Sequence, residues 1–193
     1  ILRLALHDRR ALRQGEGAGV AKVRRTPRTR DQGAAVAAVK RLQGTRDLEP
    51  TFKTAFHLAS TQARLALERR DWRAASELVP RSPATLAWDR FPWPEAVTWF
   101  ARGVGAARLG RPDDAQAAIT RLAELETTTA ASGEVLFARS IRVLRLATDG
   151  WRGQAAGDAA ASLALMREAA ELEAATPKHA VTPAPTLPAY EML

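Results

Sequence analysis

Apolar positions fall into helical periods from about residue 34 onward, in paired segments separated by turn residues. Ala34 to Leu42 predicts a short helix that breaks at Gly44 and Thr45. The next helix is expected from Thr51 to Arg69, with Pro50 at a first-turn position and Phe52, Phe56, Ala59, Ala63 and Ala66 on one face. Asp71 reads as the N-cap of a shorter helix, Trp72 to Leu78, which Pro80 and Pro83 stop. These two helices predict an antiparallel hairpin.

After a loop holding Pro83, Pro92 and Pro94, a second hairpin is expected to open at about Glu95 and run to Leu109. Val97, Phe100, Val104 and Ala107 lie at helical spacing there. Gly110 suits a left-handed helix end, and Pro112 with Asp113 and Asp114 starts the return helix at the positive end of its dipole. That helix carries Ala115, Ala118, Ile119, Leu122 and Leu125 as its apolar stripe. A third hairpin pairs Ser132 to Ala147 with Ala159 to Ala174, with Gly153 and Gly157 in its turn and Leu163, Met166, Ala169, Ala170 and Leu172 as its stripe. A short helix pair cannot bury its apolar face alone, so such pairs stack on one another.

The run WFARGVGAARLGRPDDAQAAITRL, starting at Trp99, resembles the tetratricopeptide repeat family. Trp99, Gly103, Gly110 and Ala115 fall at the intervals of the bulky, small and turn positions of that repeat. Asp71 with Ala75, and Gly157 with Ser162, repeat the turn and crossing positions. Equivalent turns are 40 residues apart from Asp71 to Arg111 and 47 from Gly110 to Gly157, longer than the usual repeat of about 34, and Ala106 and Leu122 depart from the typical residue sizes. The likeness covers about residues 51–174.

Across DWRAASELV, FPWPEAVTWFARGVGAARLGRPDDAQAAI and LMREAAELEAATPKHAVTPAPTLPAYEML, the chain is similar to the C-terminal part of large bacterial tetratricopeptide-repeat proteins of uncharacterised function. The resemblance implies an all-α, right-handed α-solenoid of about three helical hairpins, acting as a non-catalytic interaction scaffold. It also implies that Leu187 to Leu193 begins a further helix, with Tyr190, Met192 and Leu193 awaiting a partner. The expected binding face is the concave one, lined in the family by the first helix of each pair. By position its residues here are Arg64, Glu68, Trp99, Arg102, Arg139 and Arg142, the arginines being suited to clamp carboxylates of a protein or peptide partner.

Composition agrees with close-packed helices. Alanine supplies much of the 46% apolar share, and aromatics only 6%. The absence of cysteine removes disulfides, thiolate metal sites and cysteine nucleophiles together. No run of 18 apolar residues is present, and ILRLAL meets charge too soon to be a signal peptide. Opening on Ile1, the chain reads as part of a longer protein. The full-length proteins it resembles often look exported, which leaves bacterial cytoplasm and periplasm as the two compartments.

The net charge of +8 is unevenly placed. Residues 1–32 hold nine basic and three acidic side chains, whereas the rest hold 20 and 18. Residues 1–32 therefore form a basic, irregular segment, 33–175 the helical-repeat domain, and 176–193 a proline-rich connection leading into a truncated helix. Arg24, Arg25, Arg28 and Arg30 could neutralise phosphates, which gives the alternative reading of a nucleic-acid-linked regulator. The plainer reading is a solvated arm. A third reading is that this Arg-, Gly-, Ala- and Pro-rich stretch is not native coding at all.

Candidate chemistry is sparse. Trp88, Phe91, Trp93, Trp99 and Phe100 could line a pocket, but aromatics at helical spacing usually fill a core. Asp89 and Glu95 flank this cluster as a glycosidase pair would, but acidic residues near helix starts are commonly caps, and a carbohydrate-active enzyme is the least favoured reading. His7, His57 and His179 are too dispersed for a local metal pair, with His57 read as a surface or packed residue and Lys178 with His179 as part of a linker. No phosphate loop, dinucleotide fingerprint or nucleophile elbow occurs, so no cofactor, metal or catalytic residue is expected.

Overall fold

The computed structural model describes residues 48–177 and 187–192, with isolated positions 33, 34, 37, 41 and 44. Among these residues the chain is all-helical, with seven α-helices and no strand. They are α1 (Phe52–Glu68), α2 (Trp72–Ser76), α3 (Pro92–Arg108), α4 (Pro112–Ala131), α5 (Val135–Ala155), α6 (Ala159–Ala174) and α7 (Ala189–Met192), with a single 3-10 turn at Trp88–Arg90. The basic segment 1–32 and the helix expected at Ala34 to Leu42 lie outside the described residues, apart from isolated positions of the latter.

The helix ends follow from local chemistry. Thr51, Asp71 and Asp158 cap α1, α2 and α6 by accepting hydrogen bonds from the backbone N–H groups of Thr54, Ala74 and Ala161. Each such cap contributes about 1 kcal/mol. Four helices end in the same two-bond turn. After α1, Asp71 N donates to Ala66 O and Arg70 N to Leu67 O, and the equivalent pairs recur at Gly110–Arg111, Gly133–Glu134 and Gly157–Asp158. The motif needs a left-handed residue. Glycine supplies it at φ 68°, 83° and 85°, but Arg70 must adopt φ 54°.

Several boundaries differ from those read in the sequence. Pro50 precedes the cap of α1 rather than lying in its first turn. The return helix α2 stops at Ser76, two residues before Leu78. Helix α3 begins at Pro92, so Pro92 and Pro94 belong to its first turn, where missing N–H groups leave no intrahelical bond unmade. Helix α5 starts at Val135 and runs eight residues past Ala147, taking in Gly150 and Gly153. Those glycines are packing positions: a Cβ on Gly150 would lie 3.0 Å from the Met166 side chain, and one on Gly153 3.6 Å from Ser162 Cβ. Leu163, placed on the buried stripe by sequence, is exposed, while Ser162 is buried and its hydroxyl donates to Gly150 O at 2.7 Å.

Packing stays between helices near in sequence. Helix α3 contacts α1 and α2 before it and α4 and α5 after it, α5 contacts α4 and α6, and α7 rests on α6 and α5. Close approach is enforced by small residues. A Cβ on Gly105 would lie 2.7 Å from both Ser76 N and Trp72 O of α2, and one on Gly103 3.0 Å from Ala118 Cβ of α4. The main core runs through all seven helices, with Phe100, Leu122, Ile141, Val97 and Val104 fully buried. At the C-terminal end Ala189 N donates to Glu173 Oε2, and Met192 is buried, contrary to the exposed end expected for it. Tyr190 is exposed as expected, and Leu193 lies outside the described residues.

Candidate functional site

Helix α2 has five residues against 17 in α1, about 7.5 Å of cover for about 25 Å of helix. The uncovered first half of α1 is closed instead by the segment leading to α3, whose Leu86, Trp88 and Phe91 pack on Ala55, Leu58 and Ala59. Trp88 Nε1 donates to Pro83 O at 2.8 Å, which fixes the indole in the loop.

This covering segment is tied down by charge. Glu95, in the first turn of α3, is only 2% exposed. Its Oε2 accepts from Arg81 Nε at 2.9 Å, and its Oε1 from Arg121 Nε at 3.0 Å and Trp99 Nε1 at 3.2 Å. Arg81 also donates to Asp89 at 2.7 Å, and Arg121 to Glu124 at 2.7 Å. Arg81 is held in the left-handed region at φ 57°. Its hydrogen bond to Glu95 raises its pKa above the ordinary arginine value despite partial burial, with Asp89 adding to the effect. For Arg121 burial is the largest single influence and acts downward, yet Glu124 and Glu95 together leave the pKa raised. The node joins the covering segment, α3 and α4.

The six residues expected on the binding face are distributed over three helices. On α1, Arg64 and Glu68 are exposed and 4.0 Å apart. On α3, Trp99 is half-buried against Glu95, and the Arg102 guanidinium lies 5.1 Å from its ring centroid while donating to Leu78 O beyond α2. Burial lowers the pKa of Arg102. On α5, Arg139 is exposed, and Arg142 pairs with Glu168 of α6 at 2.9 Å. Thus Trp99 and Arg102 are engaged with the elements following α2 and with the Glu95 node, whereas Arg64, Glu68, Arg139 and Arg142 present themselves to solvent.

The aromatic cluster read from the sequence divides among separate tasks. Trp88 and Phe91 cover α1, Phe100 is core, and Trp99 belongs to the node. Trp93 stacks on Phe137, their centroids 6.3 Å apart, and Phe137 in turn lies 5.1 Å from Phe52. Phe52, Trp93 and Phe137 stand within the first three residues of α1, α3 and α5, so those helices begin side by side. Sequence reasoning missed Phe137, whose only local signal is one aromatic at the start of a helix. It also missed Trp72 and Trp151, which flank Arg108.

Asp89 and Glu95 are brought together, but through Arg81, and Glu95 has almost no surface to offer a substrate. Asp113 and Asp114 lie in the first turn of α4, with Asp114 paired to Arg111 at 2.6 Å. His57 is exposed on α1, and His7 and His179 lie outside the described residues. Among the described residues no group of three or more His, Asp or Glu side chains is arranged to hold a metal ion, and no helix is long and apolar enough to cross a membrane.

Comparison of the chain with family models, with curated proteins and with solved structures finds no match.

Proposed function

We propose that this chain is a non-catalytic protein–protein interaction scaffold, a right-handed α-solenoid of three tetratricopeptide-like hairpins formed by α1–α2, α3–α4 and α5–α6. The observation that carries this reading is the packing order: contacts pass from each hairpin to the next, with small residues where helices cross. Arrays of this kind offer extended surfaces rather than reaction sites. The partner surface is assigned to the exposed charges of the leading helices, Arg64 and Glu68 on α1 with Arg139 and Arg142 on α5. Trp99 and Arg102 support that surface from within. Arginines there suit forked pairing with carboxylates of a peptide or protein.

The test is affinity capture followed by mass spectrometry, comparing the unmodified chain with an Arg139→Glu/Arg142→Glu variant of unchanged helicity. Selective loss of a reproducible set of captured proteins is the expected outcome. Identical captured sets would overturn the assignment of this face.

A further inference from the structure

Arg108 is the last residue of α3 and sits between two indoles. Its guanidinium carbon lies 5.0 Å from the Trp72 centroid and 4.8 Å from that of Trp151. The rings come from α2 and α5, on separate hairpins. Nearby arginines find carboxylates, Arg111 with Asp114 and Arg152 with Asp149, but Arg108 forms no ion pair among the described residues. It is exposed, and the interactions of its guanidinium among the described residues are with the two aromatic rings.

The slot is built on rigid supports. A Cβ on Gly105 would lie 2.7 Å from Trp72 O, and one on Gly150, the residue preceding Trp151, 3.0 Å from the Met166 side chain, so both indoles hang from closely packed backbone. Trp151 Nε1 is buried with no hydrogen-bond partner among the described residues. An indole that leaves its N–H unsatisfied forgoes a hydrogen bond, so packing fixes this ring by its faces rather than by its polar edge. Two such faces on either side of a gap attract a weakly hydrated organic cation through their quadrupoles. An exposed arginine held only in this way is weakly fixed and can exchange.

We propose that the Trp72–Trp151 slot is a binding site for an organic cation of the guanidinium or quaternary ammonium class, and that Arg108 is its resident plug. A partner's arginine or methylated amine would enter by displacing Arg108. The site stands whether or not the chain acts as a scaffold, because it rests on a different set of residues.

Nuclear magnetic resonance reads it directly through the five indole N–H signals. The probes are methylguanidinium and tetramethylammonium, each titrated against sodium chloride of equal concentration, into the unmodified chain, Arg108→Ala and Arg108→Gln. In the two variants the Trp72 and Trp151 signals are expected to shift, with half-effect at a concentration roughly tenfold lower than in the unmodified chain. Signals of Trp88, Trp93 and Trp99 stay in place, and Trp151→Leu in the Arg108→Gln background abolishes the response. A preference for one probe tells an arginine site from a methylated-amine site. The proposal is overturned if neither natively helical variant responds, if the unmodified chain responds at the same concentration, or if all five signals move together.

Discussion

The first and last hairpins solve one packing problem with different means. In α5–α6 a 21-residue helix is matched by one of 16, and Ser162, Met166, Ala169 and Ala170 close the interface at helical intervals. In α1–α2 the return helix is too short, and an irregular segment supplies Leu86, Trp88 and Phe91 one by one, held by the Arg81–Glu95–Arg121 node. Two helices can close an interface by repetition. A loop has no period, so the segment is fixed point by point, Trp88 by its N–H on Pro83 O and Arg81 by the buried Glu95 carboxylate.

The sharpest way to test this contrast is to remove one covering residue of the first hairpin and one exposed apolar residue of the last. Trp88→Ala is expected to destabilise the chain by about 4 kcal/mol, the cost of deleting a large buried aromatic, whereas Leu163→Ala changes stability by less than about 0.5 kcal/mol. Urea unfolding followed by circular dichroism measures both. Equal effects would mean that the segment is not acting as a core element.

The anchor itself comes next. Glu95→Gln leaves Arg81 and Arg121 without their shared carboxylate and should cost about 3 kcal/mol, while Asp89→Asn, at the exposed end of the node, should cost less than about 1 kcal/mol. Arg81 and Arg121 have folded pKa values raised above their unfolded ones, so their stabilisation is fully present below the ordinary arginine range and is lost only as pH rises through it, in strong alkali. A drop in stability between pH 8 and pH 10 assigned to these arginines by their substitution would contradict this arrangement.

Two glycines sharpen the contrast by sign. Gly105→Ala pushes a methyl into the backbone of α2 and should cost about 2 kcal/mol, whereas Gly153→Ala meets only ordinary contacts inside α5 and should gain about 0.5–1 kcal/mol of helix propensity. The smallest effects lie in the turns. Arg70→Gly should stabilise by about 0.5–1 kcal/mol, bringing the first turn to the glycine used in the others, and Gly157→Ala should destabilise by a similar amount. Thermal unfolding of the four variants checks both pairs.

The same division marks what could be read in advance. The stripes Val97, Phe100, Val104 and Ala107 of α3, and Ala115, Ala118, Ile119, Leu122 and Leu125 of α4, are buried as their spacing implies, because a helix face is a local property. Gly110 takes its left-handed turn for the same reason. Gly153 lies inside α5 and not in the turn its spacing suggests, because a glycine that admits a neighbouring side chain and a glycine that ends a helix look alike without the neighbour. The burial of Glu95 was hidden too, since its arginines stand 14 and 26 residues away. The engagement of Arg102 with Leu78 O depends on where α2 stops, which the run to Pro80 did not reveal.

Native-state hydrogen exchange on Glu95→Gln tests most directly the claim that the covering segment, held by Glu95, completes the first hairpin. The expected result is a selective loss of protection in α1 from Phe52 to Ser60 and in the segment from Leu86 to Phe91, with α5 and α6 protected as in the unmodified chain. A uniform loss across all helices, or unchanged protection in α1, would contradict it.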